Sequence, residues 1–73
     1  MLKEHKIGDY VWYKSGNTAQ VMLGVIINLA NGYNNWYYPI RCLDNNIVWS
    51  VYYSNIVRKA HDYEILKYLI CTQ

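Results

Sequence analysis

The fold of this 73-residue chain is decided by residues 47–59, which read IVWSVYYSNIVRK. β-Branched and aromatic residues fill residues 47–52 and predict a strand. The run is interrupted at residues 53–55, which predict a single turn of 3₁₀ helix. Residues 56–59 then predict a short last strand. Two short strands joined by one tight turn are typical of a small all-β domain.

The same sequence of strand and turn signals extends upstream of this segment. Three further strands are predicted, at residues 9–14, 20–28 and 36–43. Clusters of Gly, Asn, Ser and Asp follow them as predicted turns, at residues 15–17, 31–35 and 44–46. Gly24 interrupts the second strand, where a missing Cβ predicts a bulge or a sharp bend. Five strands in about fifty residues predict a closed or nearly closed barrel.

The period of the apolar residues changes after Ala60, from that of a strand to that of a helix. A helix is predicted at residues 62–70, with Asp62 as its N-cap and Glu64 in the first turn, where a negative charge suits the helix dipole. Its apolar stripe must be covered, either by the barrel of the same chain or by a neighbouring subunit. The domain organisation is therefore a barrel at residues 1–60 and a helix at residues 61–73 packed on one of these two surfaces.

Four segments together resemble the SH3-like barrel family, including its small Tudor-like modules. They are IGDYV at residues 7–11, GVI at 24–26, the strand and hairpin at 38–44, and VYYSNI at 51–56. The resemblance covers residues 7–59 and implies a five-stranded SH3-like barrel. With the helix predicted from the change of period, the expected fold class is all-β, a five-stranded SH3-like barrel with a short C-terminal α-helix. Small accessory proteins of phages and prophages often share this size and architecture. A phage or prophage origin is the expectation that follows.

The composition excludes several classes of protein. The chain is 53% hydrophobic and 16% charged, with one Pro, which excludes intrinsic disorder and low-complexity sequence. It has no run of about 18 apolar residues and no basic-then-apolar leader, so neither a membrane span nor export is expected. Two Cys are too few for the disulfide framework of a secreted module. We therefore expect a cytoplasmic protein with reduced thiols and no membrane partner.

Enzyme chemistry is not expected, because it requires an acid, base or nucleophile with a suitably placed partner. The five acidic residues form no paired-carboxylate motif; they are Glu4, Asp9, Asp44, Asp62 and Glu64. Asp9 follows the Gly that opens the first strand, where a short carboxylate accepts hydrogen bonds from turn amides. Cys42 and Cys71 form no CxxC pair and have no His at ligand spacing. The sequence predicts no catalytic residue, cofactor or metal site.

Strand alternation separates a core face from an outward face. Counted back from Ile56, the predicted core is Val11, Tyr13, Leu23, Ile26, Tyr38, Ile40, Cys42, Ile47, Trp49, Val51 and Ile56. The predicted outward set is Tyr10, Trp12, Lys14, Tyr37, Pro39, Arg41, Val48, Ser50 and Tyr52. Aromatic side chains with a guanidinium have the composition enriched at protein interfaces, although bulky residues also line exposed sheet faces for cross-strand packing alone. The candidate partner-binding residues are Tyr10, Trp12, Tyr37, Arg41 and Tyr52.

Three functions are compatible with this pattern. The first is a non-enzymatic module, an inhibitor or adaptor that binds a protein through the aromatic surface and self-associates as a homo-oligomer. The alternative is a nucleic-acid-binding SH3-like module, since aromatic side chains stack on bases. Phosphate contacts need Lys or Arg, however, and the central sheet offers only Arg41. The third is capture of a small molecule at an oligomer axis.

Overall fold

A computed structural model describes residues 5–15, 20–32 and 35–71, and it shows one antiparallel sheet followed by one helix. The strands are β1 (Tyr10–Lys14), β2 (Val21–Ile26), β3 (Tyr37–Cys42), β4 (Val48–Tyr52) and β5 (Ile56–Lys59). A 3₁₀ turn, Tyr53–Asn55, joins β4 to β5, and α1 spans Asp62–Cys71. The five predicted strands, the 3₁₀ turn and the C-terminal helix are confirmed. Glu4 and the predicted turn residues Gly16, Asn17 and Asn34 lie outside the described residues.

The strand order in the sheet is β4-β3-β2-β1-β5. Strands β1 to β4 form successive hairpins, and β5 returns to pair with β1 on its free side. The β1–β5 register shifts between Trp12 and Tyr13, which marks a β-bulge. Bulges increase the local twist of a strand. In the strand order of this sheet, β4 and β5 are the edges, and β1 and β2 lie in the interior.

One face of the sheet carries the hydrophobic core. Its buried cluster is Val11, Tyr13, Ile26, Tyr38, Ile40, Val51 and Ile56. The predicted alternation holds along β1 and β3, where every second residue is buried. Cys42 is also buried, as expected for a free thiol that packs as a small apolar side chain.

Leu23 is buried, but the prediction that it shares a face with Tyr13 is wrong. It lies directly opposite Trp12 across β1 and β2, and Val25 lies opposite Tyr10 in the same way. Directly opposed residues point to the same side of a sheet, so Leu23 and Val25 are on the face of Tyr10 and Trp12. The register of β1 and β2 runs without a shift through Gly24, so the bulge predicted at Gly24 is also wrong. β2 is buried on both faces and therefore shows no alternation.

Gly24 is required by the packing of its neighbours over the core face. A Cβ on Gly24 would overlap the Ile40 Cγ2 atom and lie 2.9 Å from the Cε1 atom of Tyr13. Val11 and Cys42 are the direct cross-strand partners of Gly24 in β1 and β3. The missing side chain lets residues of β1 and β3 meet above β2. Close approach of neighbouring side chains explains this glycine.

The predicted burial of Trp49 and Ile47 is wrong. Trp49 lies opposite Ile40, so it points to the core face as predicted, yet it is 51% exposed. Ile47 precedes β4 and is also largely exposed. β4 is an edge strand, and only Val51 among its residues is buried. The alternation identified the face correctly but could not show that the core ends before Trp49.

The substitution Gly24→Ala tests the close packing above β2. Because the added methyl group overlaps Ile40 and Tyr13, we expect a loss of about 1–3 kcal/mol or more in the free energy of unfolding, measured by urea denaturation. Val21→Ala is the matched control in the same strand, because its side chain is largely exposed, and it should change stability little. Equal effects of the two variants would contradict the packing described here.

Candidate functional site

The aromatic surface contains a cavity of about 310 Å³ beside β4, which we call the β4 cleft. It lies where the end of β1 faces β4. The residues that line it are Tyr13, Lys14, Ser15, Tyr37, Trp49, Ser50, Val51, Tyr52 and Asn55. The three aromatic side chains on its rim, Tyr37, Trp49 and Tyr52, are partly or half exposed. A concave site with apolar walls and exposed aromatic side chains suits the binding of another molecule.

Four aromatic rings pack against one another at one end of β3 and β4, and we call them the aromatic cluster. Tyr52 is at its centre, with ring centroids 5.3 Å from Tyr37, 5.8 Å from Trp36 and 4.9 Å from Tyr53. The Trp36 and Tyr53 centroids are 6.1 Å apart. Edge-on and tilted rings at these separations attract one another beyond their burial of surface. Two members of the cluster, Tyr37 and Tyr52, line the β4 cleft, and their ring contacts with each other and with Trp36 and Tyr53 preorganise this wall.

The local sequence explains how the aromatic cluster forms. Tyr37 and Tyr52 are direct cross-strand partners in β3 and β4. The 3₁₀ turn then places Tyr53 beside Trp36, where the Tyr53 amide donates a hydrogen bond of 2.8 Å to the Trp36 carbonyl oxygen. Tyr37 also packs over Gly32, where φ is +83° and a Cβ would lie 2.7 Å from the Tyr37 ring. A turn glycine thus leaves space for the Tyr37 side chain.

The β4 cleft is nearly neutral. Lys14 is the one residue among its described lining that carries a full charge at neutral pH. Burial, with the neighbouring Tyr53 and Tyr37, raises the pKa of Tyr52. Burial and the Cys42 thiol likewise raise the pKa of Tyr13. Both phenols therefore stay protonated at neutral pH, and the cleft offers hydroxyl groups rather than charges.

The structure separates the five predicted partner-binding residues into three places. Tyr37 and Tyr52 form one pair on the rim of the β4 cleft. Tyr10 and Arg41 lie on either side of Val25 in the middle of the same face, and the Arg41 guanidinium donates a hydrogen bond of 3.0 Å to the Asn46 side chain. Trp12 lies beneath the start of α1. Tyr37 and Tyr52 thus belong to the β4 cleft, and the other three do not line it.

Trp12 is occupied by a contact within the chain. Its indole N–H donates a hydrogen bond of 3.2 Å to the Glu64 carboxylate in α1. The same carboxylate accepts two hydrogen bonds from Arg58, at 2.9 and 2.7 Å, and one of 2.8 Å from the His61 amide. We call these contacts the Glu64 clamp. It ties the first turn of α1 to both β1 and β5.

The Glu64 clamp also corrects the predicted N-cap. The His61 carbonyl accepts a hydrogen bond of 3.1 Å from the Ile65 amide, and α1 begins at Asp62, so His61 rather than Asp62 holds the N-cap position. Glu64 reaches back to the His61 amide as the Glu of a capping box does. No described residue of α1 is buried. Its apolar side chains Leu66, Leu69 and Ile70 remain exposed.

Trp36, Trp49 and Tyr53 belong to the candidate site, although the strand alternation did not assign them to it. Trp49 was placed in the core, and the other two fall where strand alternation has stopped. One signal could have identified Trp49 as an exposed residue of the site. It is the position of β4 as the last strand of a four-strand meander. Such a strand is left at an edge unless the barrel closes.

The remaining polar side chains have structural roles. Asp9 accepts a hydrogen bond of 2.8 Å from the Lys6 amide, which confirms the turn contact predicted for this carboxylate. Lys59 lies 3.8 Å from the other Asp9 oxygen. Among residues 5–15, 20–32 and 35–71, no three His, Cys, Asp or Glu side chains lie close enough together to hold a metal ion. The described polar groups thus serve turns, caps and strand edges.

Comparison with protein-family models, curated proteins and solved structures gives no match to this chain. Within the part of the chain that the structure describes, no helix has the length and apolar character needed to cross a membrane.

Glu64→Gln tests the Glu64 clamp. Hydrogen bonds from Arg58, then from the His61 amide and Trp12, lower the pKa of Glu64 below its ordinary value of 4.5. Folding thus favours the carboxylate, and this stabilisation is present above pH 4.5 and is lost as the pH falls below it. We expect Glu64→Gln to speed amide exchange in α1 and to shift the Trp12 indole N–H resonance at pH 7.

Asp62→Asn is the matched control, because it removes another first-turn carboxylate that makes no ion pair among the described residues. It should leave the Trp12 resonance in place. If the wild-type Trp12 resonance instead moves to its Glu64→Gln position as the pH falls through 4.5, folding does not favour the Glu64 carboxylate and the clamp does not anchor the helix.

Proposed function

We propose that this chain is a non-enzymatic protein-binding module, an inhibitor or adaptor that binds its partner through the β4 cleft. The observation that carries the proposal is the exposure of Trp49, which is 51% accessible on an edge strand beside Tyr37 and Tyr52. Tryptophan and tyrosine are the residues most enriched at the energetic centres of protein interfaces. An exposed Trp in a concave aromatic site is suited to bury itself in a partner.

An SH3-like barrel is the architecture that we propose for the module. The support is the return of β5 to the free side of β1 and the 3₁₀ turn between β4 and β5. The sheet also concentrates its core on one face, which is the arrangement of a curled sheet. In this arrangement the β4 cleft is the seam at which β4 approaches the end of β1.

The charge distribution favours a protein over a nucleic acid as the partner. Lys14 lines the β4 cleft, but the Arg41 side chain is engaged by Asn46 and the Arg58 side chain by Glu64. A nucleic acid needs several cations along its path, since each phosphate contact releases a counterion. Neutral aromatic walls suit an extended peptide or a protein surface better. Aromatic anchors of this kind contribute about 2 kcal/mol or more each at binding hot spots.

Selection from a displayed library of random peptides of about 12 residues tests the proposal. We expect the wild-type chain to enrich related sequences, and Trp49→Ala to lose them while its amide spectrum shows an intact fold. The matched control is Val57→Ala, because Val57 is 48% exposed on the opposite edge strand. It should retain binding. Peptides that bind both variants equally would contradict the assignment of the cleft.

An oligonucleotide titration distinguishes the nucleic-acid alternative. We expect a single-stranded dT oligonucleotide not to bind at either about 50 or about 200 mM salt. Binding that weakens steeply with salt, and weakens further in Lys14→Gln, would replace the proposed function with nucleic-acid recognition.

A further inference from the structure

The two edges of the sheet differ in how they are protected against pairing with another chain. β5 has four residues and carries Arg58 and Lys59, which are engaged by Glu64 and Asp9. The Glu64 clamp also holds the start of α1 against this side of the sheet. Short length, charges and a covering element are the devices by which proteins protect an edge strand.

Within residues 5–15, 20–32 and 35–71, the β4 edge has none of these protections. Residues 45–57 contain no charged side chain and no Pro. Val48 and Trp49 are both about half exposed, with 48% and 51% of their surface accessible. An uncharged and partly apolar edge is the kind on which another strand adds.

The register shows which backbone groups of β4 are free. The Pro39 carbonyl accepts a hydrogen bond from Ile27, on the β2 side, so Pro39 and its partner Ser50 form a non-hydrogen-bonded pair of β3 and β4. By alternation, Val48, Ser50 and Tyr52 direct their amides and carbonyls away from β3. The Tyr52 carbonyl also accepts a bond within the 3₁₀ turn, because Tyr52 is its N-cap, so Val48 and Ser50 present the groups that can pair with another strand.

We propose that β4 pairs antiparallel with β4 of a second copy of this chain, with Ser50 on the two-fold axis. In this register Ser50 faces Ser50 of the second copy, Val48 faces its Tyr52, and Trp49 faces its Val51. Each pair joins residues of the same face, because 48 and 52 are outward positions and 49 and 51 point to the core face. The two sheets become one continuous sheet of ten strands.

A second copy fits this edge because a two-fold interface must be complementary to itself. Near the axis, the residues of one copy lie opposite the same short segment of the second copy. A charged side chain there would therefore lie close to a like charge. The β4 edge satisfies this condition, whereas β5, with two adjacent cations, does not. Pairing would also cover the exposed Trp49 and Val48 side chains. This inference rests on the proposed function, because the second copy is the partner that would contact Trp49 and Tyr52 at the β4 cleft.

Sedimentation equilibrium tests this inference, over concentrations from about 1 to 500 μM. We expect the wild type to reach twice its monomer mass. Ser50→Pro removes the outward amide at the axis, a position where an edge strand tolerates Pro. Ser50→Lys places two like charges directly opposite each other. Each should weaken the dimer about tenfold or more, because charge repulsion and a lost edge bond both oppose pairing. Ser50→Thr, which keeps the amide and strand propensity, is the matched control.

Three outcomes would overturn the inference. The first is a wild type that stays monomeric at the highest concentration, and the second is a dimer that persists in both Ser50→Pro and Ser50→Lys. The third is a dimer abolished instead by Leu66→Ser with Ile70→Ser, which would assign the contact to the exposed face of α1. If the Ser50→Pro variant unfolds, the result for Ser50→Lys alone decides whether β4 forms the dimer interface.

The peptide selection separates this inference from the proposed function. A monomer that still enriches peptides dependent on Trp49 would retain the proposed function and reject the second copy as the occupant. A dimer that Ser50→Lys dissociates, with no peptide enriched, would retain the inference and reject recognition of a separate partner.

Discussion

The absence of a side chain at Gly24 is the constraint on which the rest of this sheet depends. β2 lies between β1 and β3, and any Cβ at this position would separate Tyr13 from Ile40. Because Gly24 leaves the space open, these two side chains meet over β2 and form the centre of the core. The buried Tyr13 then also forms the floor of the β4 cleft. The core and the candidate binding site thus share one side chain, so the shape of the cleft depends on the packing above Gly24.

The two edges of the sheet differ in how much of the chain covers them. α1 and the Glu64 clamp serve the β5 side, where Trp12 is half-buried. Nothing comparable among the described residues covers β4, so Trp49 remains exposed there. Small domains bury a smaller fraction of their surface than large ones. Among the described residues, two of the three exposed aromatic side chains, Tyr37 and Trp49, lie at the β4 edge beside a cleft, and the third, Tyr63, lies on α1.

Local patterns in the sequence predicted most of the fold, because strands, turns and the helix each have a short-range signal. Val11, Tyr13, Tyr38 and Ile40 were assigned correctly by alternation alone. Leu23 is buried as predicted, but its face could not be predicted, because a strand buried on both faces has no alternation. The predicted burial of Trp49 was wrong for another reason. Periodicity gives the direction of a side chain, whereas burial depends on which other parts of the chain cover that side chain. The Trp12 contact of the Glu64 clamp joins residues far apart in sequence, so no local pattern could reveal it.

The strand order also determines how this chain assembles. β1 to β4 pair as neighbours along the chain, so each hairpin forms by closing a short loop. The pairing of β5 with β1 instead joins Lys59 to Val11, and the entropy of closing that long loop must be lost before its contacts form. Contacts between distant parts of a chain are the ones that slow folding. We therefore expect the encounter of β5 with β1 to limit the rate of folding.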